Sequence, residues 1–156
     1  MSLNHNHQRC IDDAMAMARH RCSERGARLT PIRADILKLI WASHQPVGAY
    51  DLLESLSARS ERRSTPPTVY RALDFLLEQG LIHRIASLNA FVGCNDPGHG
   101  HSGHFLICKD CNNATELLAD GIGTAIQSAA RQQDFTIDSQ SVEIVGRCKH
   151  CAGQND

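Results

Sequence analysis

The chain has no apolar run long enough to cross a membrane. It also has no apolar leader in its first residues, MSLNHNHQRC, of the kind that directs secretion. The expectation is a soluble cytoplasmic protein with no membrane partner and with reduced thiols. Seven cysteines is an odd number, which argues further against a framework of paired disulfides. Neither His-Glu-x-x-His nor His-x-Glu with Pro-Cys-x-x-Cys occurs, so two short signatures of zinc catalysis are missing. No enzyme activity and no small-molecule substrate are therefore expected. Internal repeats are absent as well.

Net charge is close to zero, at −1, but it is unevenly spread. Residues 1–86 carry 12 Lys/Arg against 9 Asp/Glu, and residues 87–156 carry 4 against 8. The basic residues of the first part are almost all arginine, whose planar fork suits phosphate. An excess this small supports a nucleic-acid partner only weakly by itself.

What the chain does have is two Cys-x-x-Cys pairs, Cys108/Cys111 and Cys148/Cys151, with 36 residues between them. Each pair supplies two thiolates from one tight turn, and four thiolates complete a tetrahedral Zn²⁺ site. A thioredoxin-like redox motif would need a helix directly after the cysteines. Asn112-Asn113 after the first pair and the short stretch after the second do not suggest one.

The organisation is α+β. His5, His7 and Cys10 fall in a polar stretch, residues 1–10, expected to be a frayed tail. An amphipathic helix is expected over Ile11–Arg25, stopped by Gly26. Thr30-Pro31 opens a second helix, with Ile32, Ile36, Leu37, Leu39 and Ile40 on one face. A third covers Ala49–Arg59, with Leu52, Leu53 and Leu56 inward. After the polar loop 60–64, a fourth runs from Thr68 to Gln79, with Pro66 extended, Pro67 in the first turn and Gly80 closing the end. Leu81–Ile85 and Ala90–Val92 read as a β-hairpin. Helices followed by a hairpin make a winged helix-turn-helix over residues 1–86. A Gly/Pro-rich hinge spans 87–103. A small α/β domain follows over 104–156, with strands at Phe105–Cys108, Ala114–Leu118, Phe135–Ile137 and Val142–Val145 and a helix at Gly121–Gln133.

On the fourth helix, 100° per residue groups Val69, Leu73, Leu76 and Leu77 on one face and Arg71, Asp74 and Glu78 opposite, with Tyr70 on the boundary. Arg71 thus points outward near the end where a recognition helix meets bases and phosphates. A plain surface arginine fits the pattern equally well.

Three cysteines and nine histidines remain outside the two pairs. The hairpin brings His83 and Cys94 near each other, His99, His101 and His104 follow, and Glu116 lies on a later strand. One thiolate, two imidazoles and a carboxylate would make a second four-coordinate zinc site. Each also has a structural alternative: a solvent-facing His83, a small buried Cys94, an exposed Glu116. His20 and His44 read as structural or surface residues.

The run TPPTVYRALDFLLEQGLIHRI (Thr65–Ile85), with RLTPIR (Arg28–Arg33) before it and the Cys-x-x-Cys pairs after it, resembles the ferric uptake regulator family, and within it the zinc-sensing branch. The likeness extends from about Met15 to Cys151. It implies a dimeric, metal-dependent repressor that binds operator DNA through a winged helix and pairs through a C-terminal dimerisation domain. It implies DNA contact by Tyr70 and Arg71 and, more weakly, Tyr50. The matching regulatory zinc ligands are His83, Cys94, His101 and Glu116, with His99 or His104 serving a possible additional metal. About two Zn²⁺ per monomer follow, one structural and one regulatory. A thiolate with imidazoles favours zinc, whereas iron-sensing relatives use His and carboxylate. Their His-rich run before the first pair is thinned here to GHGHSGH. A family member sensing iron, manganese or peroxide is the alternative, and a zinc enzyme the remote one.

Overall fold

A computed structural model describes residues 6–43, 45–59, 64–97 and 102–153. His5, His44, His99 and His101 lie outside these. The chain divides into two compact units, Met1–His99 and Gly100–Asp156.

In the first unit, α1 (His7–Glu24), α2 (Pro31–Ala42), α3 (Ala49–Arg59) and α4 (Pro66–Glu78) surround one apolar core. Helix α1 starts four residues earlier than Ile11. Arg9 and Cys10 donate backbone N–H groups to the Asn6 carbonyl, so residues 7–10, expected in a frayed tail, form its first turn. A polar first turn adds nothing to the apolar period from which the start was read.

The helix ends follow glycine chemistry. Gly26 (φ 64°) and Gly80 (φ 69°) are left-handed. Beyond α4, Leu81 N–H reaches the Leu76 carbonyl at 2.9 Å and Gly80 N–H reaches Leu77 at 3.0 Å. Beyond α1, Ala27 N–H reaches Cys22 at 2.8 Å and Gly26 N–H reaches Ser23 at 3.3 Å. Both are Schellman closures, which need a residue at ease with positive φ. Helix α4 begins at Pro66, so both prolines sit in its first turn and Thr65 is the extended residue. The N–H groups that proline lacks have no helical partner there in any case. Thr30 has the extended backbone of an N-cap, but its side chain makes no capping bond.

Val69, Ala72, Leu73 and Leu76 of α4 bury against Ile36, Leu37 and Ile40 of α2, Leu52 and Leu56 of α3, and Met15 and Ala18 of α1. The face read from the sequence is right except that Ala72 belongs to it and Leu77 is half-buried. Strands β1 (Val47–Gly48), β2 (Ile82–Ile85) and β3 (Ala90–Gly93) form an antiparallel sheet in the order β1-β3-β2. A 3₁₀ turn at Ala86–Leu88 and left-handed Asn89 (φ 46°) join β2 to β3. The two-residue β1 is too short to leave a periodic signal, and the sequence reading missed it.

The second unit holds β4 (Ser102–Cys108), β5 (Ala114–Glu116), α5 (Asp120–Arg131), β6 (Gln140–Gly146) and the single turn α6 (Lys149–Ala152). Its sheet runs β5-β4-β6, antiparallel on one side and parallel on the other, with α5 in the crossover. The strand expected at Phe135–Ile137 does not form. Asp134 takes a left-handed φ of 53°, and Phe135 N–H is used at 3.0 Å by the Ala130 carbonyl at the end of α5. That helix closure claims the donor a strand would need.

A methyl group at Gly26 would meet nothing within 4 Å, so alanine there tests backbone strain alone. Gly26→Ala should lower unfolding free energy by about 1 kcal/mol in urea titration. Unchanged or raised stability would contradict the left-handed assignment.

Candidate metal centres and nucleic-acid interface

The two Cys-x-x-Cys turns meet. Sγ atoms of Cys108, Cys111, Cys148 and Cys151 all lie within 4.8 Å of one another. Cys108 ends β4 beside the last residue of β6, paired as Cys108↔Gly146, which brings Cys148 alongside. Cys148 N–H donates to Cys108 Sγ at 3.3 Å, and Cys111 and Cys148 sulfurs are 3.9 Å apart. Backbone donors from Cys148, Cys111 and Asp110 pull the Cys108 thiol down to about 6. Cys151 is pushed far up, first by its contact with Cys148 and then by burial. Cys111 also moves up: the Asn113 backbone favours its thiolate, but the contact with Cys108 and desolvation outweigh it. The Cys108 sulfur ionises readily, and Cys111 and Cys151 resist joining it unless a cation is present. This donor set fits a tetrahedral Zn²⁺.

One further feature supports the staple. Arg147 Nε lies 3.0 Å from Asp110 Oδ2, tying the residue before the second pair to the turn of the first. Opposite charges beside the two pairs were visible in CKDC and RCKHC, yet neither was singled out from sequence. The second pair does open a helix, with Cys148 as N-cap of α6, contrary to expectation. That helix is one turn long, and the partners of its sulfurs are the other pair.

His83 and Cys94 form a second grouping, inside the first unit. His83 lies on β2 in register with Val92, and Cys94 directly follows β3, its N–H donating to the Leu81 carbonyl at 3.0 Å. Both side chains are buried, and a His83 ring nitrogen lies within 4.8 Å of Cys94 Sγ. Glu116 closes β5 in the second unit, in register with Phe105. His104 is buried on β4, where Gln140 Nε2 approaches its Nε2 at 2.6 Å. An amide nitrogen only donates, so this bond engages the Nε2 lone pair of His104 and leaves Nδ1.

The third feature is the outer face of α3 and α4. The chain has two tyrosines, and both are strongly exposed: Tyr50 on α3 at 69% and Tyr70 on α4 at 53%. Arg71 is exposed beside Tyr70. Tyr70 therefore points outward rather than sitting half-buried. Arg71 borders a cavity of about 160 Å³ shared with Thr30, Ile32, Arg33, Thr68 and Ala72. Arg33 stacks over Phe75, 3.6 Å from the ring centre, and donates to the Arg28 carbonyl at 2.6 Å. Arg33 stands within the RLTPIR run, where the sequence alone assigns it no role. Its position three residues after an N-cap, facing a second helix start, was the available signal.

Residues 24–145 match the model of the ferric uptake regulator family. The chain belongs to that family. Among its relatives is the zinc uptake regulation protein of Escherichia coli (strain K12), 37% identical over 142 residues, covering 89% of this chain and 81% of that one. Among solved structures, a "Zinc Uptake Regulator Complexed With Zinc AND DNA" superposes with a TM-score of 0.87 at 35% identity, covering 92% of this chain and 96% of that one. A "holo XcZur" crystal structure gives 0.83 at 42% identity, covering 92% and 99%. For this family member, the winged helix and the four-cysteine centre read from the sequence are the fold observed.

Removing one thiolate from the four-sulfur centre tests it as a staple. Cys111→Ser should lower bound zinc by one equivalent per chain and melt the second unit while the first stays folded. The checks are metal analysis and hydrogen exchange resolved by segment. Full zinc content with native protection across β4–β6 would contradict the assignment.

Proposed function

We propose that the chain is a zinc-responsive transcriptional repressor, binding operator DNA as a homodimer and controlling genes of zinc uptake and homeostasis. It acts in the cytoplasm, where thiol ligands stay reduced, and has no catalytic role. The observation that carries the reading is the buried His83–Cys94 pair within a chain of this family. A thiolate beside an imidazole selects zinc over the harder ions that carboxylate and water ligands favour. The same softness argues against a sensor of iron, manganese or peroxide. Similarity to the E. coli zinc uptake regulation protein points the same way.

The regulatory ligands in this proposal are His83, Cys94, His101 and Glu116. Zinc, when bound, would be held by these four protein donors, which leave no open position for substrate water. With the four cysteines this gives two Zn²⁺ per chain. His83 and Cys94 must lose their protons to ligate, so zinc response weakens as pH falls.

Tyr70 and Arg71 face DNA from α4, and Tyr50 joins them from α3. Exposed tyrosines beside an arginine suit a groove, because a ring contacts sugar and base while a guanidinium takes phosphate or a guanine edge. The cavity next to Arg71 has two threonine hydroxyls and two arginines on its rim, a lining fit for a backbone phosphate. Homodimerisation uses the second unit. No side chain of α5 is buried, and Leu118, Phe135, Ile144 and Val145 are exposed. A second copy of the chain would cover this apolar surface, and C2 symmetry would set two recognition helices at successive major grooves.

Cys94→Ser is expected to lose zinc-dependent DNA binding while keeping the fold and one zinc per chain. Arg71→Ala should weaken operator binding by about 1–3 kcal/mol with metal content unchanged. Gel-shift titrations at buffered free zinc read both. Normal zinc-dependent binding by the Cys94 variant would overturn the site assignment, and unchanged affinity in the Arg71 variant would remove it from the DNA face.

A further inference from the structure

Trp41 is the chain's only tryptophan and the next-to-last residue of α2. Its indole lies against Gly93 so closely that a Cβ there would sit 2.6 Å from Nε1 and 2.7 Å from Cζ2. Gly93 is not among the positive-φ residues, so its backbone does not require glycine. The requirement comes from the ring.

The position of this contact gives it meaning. Gly93 pairs with Ile82 across β2 and β3. The next residue after Gly93 is Cys94, and the next after Ile82 is His83. The two ligands proposed from the first unit therefore flank the strand pair on which Trp41 rests. At the other side of Trp41, Ile36, Leu37 and Ile40 of α2 share one buried cluster with Val69, Leu73 and Leu76 of α4. Tyr70 and Arg71 project from that same helix.

We infer that the Trp41–Gly93 contact couples the regulatory ligand pair to the recognition helix, so that Trp41 is a positioning residue for zinc-dependent DNA binding. The inference rests on the regulatory-site reading given above. Packed interiors have little slack. A displacement of the strand end is therefore passed to the indole, and from it through α2 to α4, rather than absorbed. A side chain at 93 that holds the ring away, or a smaller ring at 41, opens the link without touching a ligand or a DNA contact.

The test uses the full-length protein as wild type, Trp41→Phe, Gly93→Ala and Cys94→Ser. Zinc per chain, thermal stability, indole emission and DNA affinity at low and saturating free zinc are measured for each. In the wild type, indole emission should shift as the second zinc equivalent binds, and this shift should be absent in Cys94→Ser. Trp41→Phe should keep two zinc ions per chain and wild-type DNA affinity at low zinc. Its affinity gain on zinc saturation should fall toward unity, from the roughly 5–150-fold expected of allosteric coupling. Gly93→Ala should behave likewise, and Trp41→Phe, the milder change, decides the matter if Gly93→Ala is unstable. A wild-type zinc-induced gain in Trp41→Phe, or an indole silent to the second zinc, would overturn the inference alone. A wild type that binds only one zinc, or binds DNA equally with and without it, would overturn the regulatory-site reading and this inference with it.

Discussion

Four cysteine sulfurs within 4.8 Å of one another make the donor set of a tetrahedral zinc staple, and the second unit is organised around them. Its other resources are thin. No side chain of α5 is buried, and the buried apolar side chains of β4 are Phe105, Ile107 and Cys108. A unit this small gains too little from burial to offset the entropy of ordering its chain. Metal binding energy is then folding energy. The β4–β6 register, the Arg147–Asp110 pair and the Cys148 N–H bond to Cys108 all bring the two turns together at that point.

The first unit is built the other way. Four helices share one buried cluster, and α1 and α4 close with glycine caps. That frees its polar side chains for function. Buried His83 and Cys94 stand on the wing, and exposed Tyr50, Tyr70 and Arg71 stand on the helices the core fixes in place. A metal-sensing regulator needs this division: one part stable without the signal ion, and one ligand set able to lose it.

Much of this was legible from residues alone. Cys-x-x-Cys spacing is a local signal that survives any tertiary context, and the 3.6-residue period of α2, α3 and α4 placed their buried faces to within a residue or two. What escaped reading was set by partners distant in sequence. Strand β1 exists because Val47 and Gly48 pair with Phe91 and Ala90. Phe135–Ile137 has strand-forming residues, but the close of α5 uses its backbone donor. The glycine at 93 looked like any strand glycine until Trp41, 52 positions earlier, explained it. His83 and Cys94 were expected to be near each other because a hairpin joins their strands. His99 and His101 fall outside the described residues, and the choice of His101 rests on family resemblance.

The most direct test of zinc-dependent, sequence-specific DNA binding is selection from a random duplex library at two buffered free-zinc levels. Enrichment of one AT-rich inverted repeat only at the higher level is the predicted result. The same enrichment at both levels would contradict the account, leaving a DNA-binding protein in which zinc is purely structural.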